Sequence, residues 1–203
     1  MATMLDPTDQ ERLATACRFA VEHHAGQVRK GTTIPYVSHL MQVSGLVLEH
    51  GGSVDQALAG LLHDAIEDCP DVTAQMLEDR FGADVRRMVE DCTDSVASEA
   101  GSEKRPWRPR KERYLAHLAE VAPQSLLVSL CDKTHNLGCI VADILEHGPA
   151  TLERFSAGPD QQLWYFGEIS RITGPHVPGG LRRRFDELLE RFRDLVTSQD
   201  TGS

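Results

Sequence analysis

Leu61-Leu62-His63-Asp64-Ala65-Ile66-Glu67-Asp68 sets four metal-competent polar side chains inside an otherwise apolar helical run. On a helix, Glu67 lies one turn beyond His63 and Asp68 one turn beyond Asp64, so the four form a compact polar patch. Leu58, Leu61, Leu62, Ala65 and Ile66 take the core side. One imidazole nitrogen and several hard carboxylate oxygens suit a six-coordinate Mn, Fe or Mg ion better than a structural zinc. With 9 His in the chain, an isolated His-Asp pair is expected about once by chance, so its weight comes from what surrounds it.

Working outward, Ser53 and Gln56 start the helix that carries this stretch, and Pro70 stops it. Before it, Ser38 caps a helix with His39 in its first turn and Met41, Val43, Leu46 and Val47 behind, closed by Gly51-Gly52. Arg29-Lys30-Gly31 followed by Ile34-Pro35 reads as a basic surface loop. The first helix opens at a Thr8/Glu11 capping box, carries Leu13, Cys17, Ala20, Val21 and His24 at helical spacing, and ends near Gly26. Beyond Pro70, Thr73 caps a short helix to Gly82, and another runs from Ala83 to Cys92. Ser95 to Pro109 has no periodicity and reads as a mobile loop. A helix with Tyr114, Leu115, Leu118 and Val121 follows. A long, mostly buried one then runs from Pro123 to Gly148 with Leu126, Leu127, Leu130, Leu137, Ile140, Val141, Ile144 and Leu145. Two amphipathic helices over about 159–197 complete the chain, and their stripe from Leu181 to Val196 is core or a subunit contact, which leaves a homo-oligomer open. No segment reads as a strand, and the expectation is an all-α single domain over 1–203.

Composition is ordinary for a globular protein at 40% hydrophobic and 26% charged. A formal charge of -10 gives no net field for nucleic acid, so no nucleic-acid partner is expected. The five cysteines contain no C-x-x-C pair and argue against both a disulfide framework and a zinc ribbon. The N-terminus reaches an acid before any apolar signal region, and no run approaches a membrane span, so a cytoplasmic protein with no membrane partner is expected.

Within the long helix, Asp132, Lys133, His135 and Asn136 interrupt the apolar pattern, and a buried Asp is costly unless paired or bound to metal. His39, His63, Asp64 and Asp132 together put two imidazoles and two carboxylates on three helices, a set able to close around one ion with positions left for water or substrate. The order H…HD…D resembles the HD-domain metal phosphohydrolases. H-x-G-Q-x-R-K-G-x-x-x-P-Y-x-x-H from His24 to His39, L-L-H-D-A-I-E-D from Leu61 to Asp68, and D-K-x-H-N from Asp132 to Asn136 resemble the hydrolase domain of RelA/SpoT-type enzymes. With no room for the synthetase half, the chain is most similar to stand-alone small alarmone hydrolases, over a motif core of about 16–145.

The resemblance implies an HD-type helical bundle with one metal site, in which His39, His63, Asp64 and Asp132 hold a Mn2+. It implies that Glu67 and Asp68 engage the attacking water. Arg29, Lys30 and Asn136, with Lys133 beside it, would contact the nucleotide substrate. The implied reaction removes the 3′-diphosphate of ppGpp or pppGpp as pyrophosphate. The family often has His-Pro where this chain has His39-Leu40, and an Arg where it has Gly138. Gly138 lies beside the implied base pocket and admits an adenosine counterpart such as ppApp as substrate.

The basic run Lys104-Arg105-Pro106-Trp107-Arg108-Pro109-Arg110-Lys111 is either a solvated surface or a phosphate contact. Cations at a helix start oppose the macrodipole, and an anionic phosphate on Arg110 and Lys111 would reverse that cost. His23 and His24 read as packing or surface residues. Two other functions fit less of the chain: an HD phosphohydrolase for a nucleoside monophosphate or NADPH, and an RNA-binding module built on Trp107.

Overall fold

A computed structural model describes residues 5–94 and 106–198. The chain divides into two compact units, Met1–Lys104 and Arg105–Ser203. Helices make up both, and the only strand-like pairing among the described residues is one antiparallel bridge between Val28 and Pro35. None of the described helices is long and apolar enough to cross a membrane.

The first unit comprises α1 (Pro7–His23), α2 (Val37–Glu49), α3 (Val54–Leu62), α4 (Ala65–Asp68), α5 (Ala74–Phe81) and α6 (Ala83–Cys92). Its centre is α3, which packs on α1, α2 and α6 and buries Ala57, Leu58, Leu61 and Leu62. The Ser53/Gln56 capping box is present, with both reciprocal bonds made. At Gly60 the helices crowd so closely that a Cβ would sit 3.1 Å from Ser44 Cα of α2. A side chain at 60 would press on the α2 backbone, so glycine suits this close approach of α3 to α2.

Three expectations are corrected here. The 61–68 stretch is not one helix: α3 ends at Leu62, Asp64 turns at φ -100 and ψ 0, and α4 restarts at Ala65. That conformation lies in the sparsely populated bridge region where active-site residues recur. The cap of α1 is Asp6, whose side chain accepts from Asp9 N at 2.8 Å, and not Thr8. Pro7 at the first helical position, with its fixed φ and missing N–H, selects that earlier start. The inward stripe of α1 is Ala16, Phe19 and Ala20, while Val21 is exposed. Phe19 meets Phe81 edge-on at 5.5 Å.

The second unit comprises α7 (Trp107–Leu118), α8 (Pro123–His147), a 3-10 turn (Pro149–Arg154), α9 (Pro159–Thr173), a second 3-10 turn (Gly174–His176) and α10 (Gly179–Thr197). Pro at the first position of α8 and Gly148 at φ 81 after it bound the longest helix where local chemistry places its ends. It packs on α9 and α10 along Leu126, Leu130, Leu137, Val141 and Ile144, but Leu145 points to solvent. Leu181, Phe185, Leu189 and Phe192 of α10 are buried in this unit's own core, with Phe185 and Phe192 against Phe166. Of the loop expected over 95–109, Trp107 to Pro109 form the first turn of α7, where Pro109's missing N–H costs nothing because the first turn's donors have no helical partner. Residues 95–105 lie outside the described ones.

Candidate metal and active site

His39 enters on the first turn of α2, His63 caps α3, and Asp64 occupies the break before α4. One ligand atom from each lies within 4.8 Å of the other two. The imidazoles are 0% and 1% exposed, with ring centroids 5.1 Å apart. Asp64 Oδ2 lies 3.0 Å from His63 Nε2 and 3.8 Å from His39 Nε2.

The tautomer of His63 decides what this cluster holds. Its Nδ1 is 2.9 Å from the Gly60 carbonyl, which only accepts, so Nδ1 carries the proton and a neutral ring presents a lone pair at Nε2. That lone pair faces a carboxylate oxygen that already accepts the Tyr36 hydroxyl at 2.6 Å. Two acceptors at 3.0 Å repel unless a cation lies there, either a second ring proton or a metal ion. Two buried imidazoles and a carboxylate whose outer partners are a backbone carbonyl and a tyrosine hydroxyl therefore fit a divalent metal.

Glu67 and Asp68 follow on α4, where the Asp68 N–H bonds the Asp64 carbonyl at 2.8 Å and keeps the two acids one turn apart. Among the described residues, the group whose ligand atoms all lie within 4.8 Å of one another is His39, His63 and Asp64. Glu67 Oε2 accepts the Asp94 backbone N–H at 3.3 Å, and Asp68 Oδ2 accepts the Gln27 side-chain amide at 2.8 Å. With the helix broken at Asp64, α4 no longer continues the face of α3.

Sequence reasoning passed over three residues that shape the site: Tyr36, His24 and Gln27. Tyr36 stacks on His24 (5.5 Å, 22°) and meets His39 edge-on (5.5 Å, 67°). His24, read as packing or surface, is buried and bonded to Gln27. All three stand inside the His24 to His39 motif, which was the available signal. Behind them Cys69 is buried, and burial together with the charges of Asp68, Asp71 and Asp64 pushes its thiol up to about 12. Arg29 and Lys30 occupy the loop closed by the Val28–Pro35 bridge, with the Arg29 guanidinium 5.7 Å from the Tyr36 ring centroid.

In the second unit, Asp132 is 5% exposed on α8 and engages the Lys133 ammonium and the Asn136 side-chain amide. Burial by itself would drive the proton off Lys133. The adjacent Asp132 charge and hydrogen bond, with Tyr165 and Tyr114, outweigh it and hold the ammonium well above the usual lysine range. Lys111 sits over the rings of Tyr165 (5.0 Å) and Tyr114 (5.9 Å). Arg108 lies 3.3 Å from the Trp164 ring centroid and pairs with Glu112 at 2.8 Å. Trp107, the proposed RNA platform, packs edge-on against Trp164 (6.3 Å) and Tyr165 (5.8 Å). Arg110 lies half-buried in the same first turns of α7. At Gly138 a Cβ would meet only Leu188 Cδ1, at an ordinary 3.8 Å, so no close packing requires glycine there. The five cysteines are free thiols.

Residues 16–154 match the family model described as HD domain. Guanosine-3′,5′-bis(diphosphate) 3′-pyrophosphohydrolase MESH1 of Xenopus tropicalis is 35% identical over 133 residues, which are 64% of this chain and 70% of that one. The Homo sapiens enzyme of the same name is 35% identical over 135 residues, with the same shares of 64% and 70%. The bifunctional (p)ppGpp synthase/hydrolase SpoT of Escherichia coli is 31% identical over 138 residues, but these are only 18% of its length. A solved structure of a metazoan orthologue of SpoT, described as hydrolysing ppGpp, shares the fold with a TM-score of 0.72 at 24% identity, covering 94% of this chain and 98% of that one. The chain belongs to the HD-domain family, and within it to the family of the guanosine-3′,5′-bis(diphosphate) 3′-pyrophosphohydrolases that it matches over two thirds of their length.

Proposed function

We propose that this chain is a divalent-metal-dependent pyrophosphohydrolase that removes the 3′-diphosphate of guanosine alarmones, ppGpp to GDP and pppGpp to GTP. The observation that carries the reading is the buried His39, His63 and Asp64 cluster, in which the His63 Nε2 lone pair faces an Asp64 oxygen at 3.0 Å, an approach that a cation makes favourable. The relatives named for that reaction supply the substrate class. The ion is Mn2+, which suits two imidazoles with hard oxygens. Asp132 is its fourth ligand, on the strength of the D-K-x-H-N motif.

When bound, the ion supplies Lewis-acid stabilisation of charge on the phosphoryl oxygens and acidifies water at the site. The protein's own groups do the rest. Asp68, exposed and turned one helical step from Asp64, takes the proton of the attacking water, with Glu67 orienting it. A new bond forms from the water oxygen to the phosphorus attached at the ribose 3′-oxygen. The bond from that phosphorus to the 3′-oxygen breaks, the oxygen takes up a proton, and pyrophosphate leaves. Arg29 and Lys30 contact the nucleotide, Asn136 and Lys133 lie by the ribose and base, and Arg110 and Lys111 meet phosphate. Gly138 leaves the base pocket without the Arg common in the family, so ppApp is a second substrate to test beside ppGpp. The chain works as one HD domain in the cytoplasm, with a small nucleotide and neither membrane nor nucleic acid as partner.

The test is chelation and reconstitution. Metal-stripped protein should not turn over ppGpp, and Mn2+ should restore turnover. Activity that survives complete removal of divalent ions would overturn the reading. A substrate panel of ppGpp, ppApp, NADPH and nucleoside monophosphates, run on the same preparation, separates it from the other HD phosphohydrolase chemistries.

A further inference from the structure

His24 is 4% exposed, and its Nδ1 lies 2.6 Å from Gln27 Oε1. An amide oxygen only accepts, so the His24 ring must donate from Nδ1. That bond also fixes which way the Gln27 amide faces. Its nitrogen donates to Asp68 Oδ2 at 2.8 Å.

The clamp is itself held. His24 stacks on Tyr36, and its Nε2 lies 3.6 Å from the Cys69 sulfur, whose thiol donates to the His23 carbonyl at 3.4 Å. The backbone of Gln27 is tied at both groups: its N–H donates to the His24 carbonyl at 3.1 Å, and its carbonyl accepts from Tyr36 N at 2.9 Å. Gly26, at φ +80, makes the turn that presents Gln27 to α4.

We propose that Gln27, oriented by His24, is a positioning residue that fixes the Asp68 carboxylate for its work on the attacking water. The proposal rests on the reading of Asp68 as the group that engages that water. Each rotamer denied to a carboxylate on a four-residue helix raises the fraction of time the base is in place. The N–H from this fixed amide ties one of its oxygens. Because Tyr36 links the same His24 to the Asp64 carboxylate, one buried imidazole braces both the ligand acid and the catalytic acid.

The test uses the full Mn2+-loaded protein with ppGpp and four variants: Gln27→Glu, Gln27→Ala, Asp68→Asn and the double variant Gln27→Glu/Asp68→Asn. Glu at 27 keeps the shape and can still accept from His24, but has no N–H to give Asp68. Both single changes at 27 should lower kcat about tenfold to a hundredfold, the usual loss for an outer partner of a site group, with KM and metal content unchanged, and Gln27→Glu, which still accepts from His24, should also keep the melting temperature. Gln27→Glu should cost nothing more once Asp68 is Asn, because the residue it acts through is gone. Wild-type kcat in Gln27→Glu beside a slow Asp68→Asn overturns the proposal alone, as does a loss that multiplies in the double variant or that follows metal content. Wild-type kcat in Asp68→Asn removes the reading of Asp68 and the proposal with it.

Discussion

Replacing Tyr36 by Phe removes one hydroxyl and leaves the ring that stacks on His24 and meets His39. The lost bond is the 2.6 Å donation to Asp64 Oδ2. Hydrogen bonds to charged groups contribute about 1.5–3 kcal/mol net. Asp64 is 19% exposed at its side chain, so water can replace part of what the phenol gave, and the low end applies. At about 1.4 kcal/mol per factor of ten, Mn2+ should bind about tenfold more weakly, through a ligand carboxylate that is less firmly aimed. Calorimetric titration of metal-free protein with Mn2+ reads this directly, and thermal melting of the same metal-free samples should show little change because the packing is intact. An unchanged dissociation constant would refute the role assigned to Tyr36. A large drop in the metal-free melting temperature would show instead that the hydroxyl is holding the fold.

Asp64→Ala and His63→Ala should each lose the bound ion and turnover with it, and metal analysis showing full occupancy in both would remove them from the ligand set. Glu67→Gln and Asp68→Asn should keep the ion while kcat falls by about a hundredfold to ten-thousandfold at near-constant KM, the usual span for a general base; a melting-temperature loss with normal turnover per folded molecule would assign them to the fold. Turnover should decline below about pH 6, where protons compete with the metal for imidazoles whose ordinary pKa is about 6.5, and a flat profile from about pH 5 to 8 would contradict it. Cys69, pushed up to about 12, should resist alkylation at pH 8 until the protein unfolds. Because its folded value is raised, its share of stability is present below the unfolded value of 9.0 and lost as pH climbs toward 12, which a pH series of melts would follow.

Local chemistry placed most of the helices. Pro123 and Gly148 bound α8, Thr73 caps α5, and the Ser53/Gln56 box opens α3, each because a short-range donor or φ requirement is met by the residue itself. The start of α1 was misread because Thr8/Glu11 and Asp6/Pro7 both satisfy local capping rules, and only the fixed φ of Pro7 separates them. The break at His63 and Asp64 was not legible, since the apolar period runs through it from Leu58 to Ile66. It goes with the His63 ring bonding the carbonyl of Gly60, a glycine held by its close approach to Ser44 on another helix. The clustering residues His39, His63 and Asp64 were legible because polar groups among apolar neighbours stand out. His24, Gln27 and Tyr36 were harder to find, because a histidine beside another histidine, a glutamine in a loop and a tyrosine before a helix reach Cys69, Asp68 and Asp64 only once the chain has folded.

The central claim is that this chain releases an intact diphosphate from the ribose 3′-position. Chromatography of the products from Mn2+-loaded protein and ppGpp tests it in one run. Equal amounts of GDP and pyrophosphate are predicted. Orthophosphate as the released product, or unchanged ppGpp with the metal bound, would contradict the account.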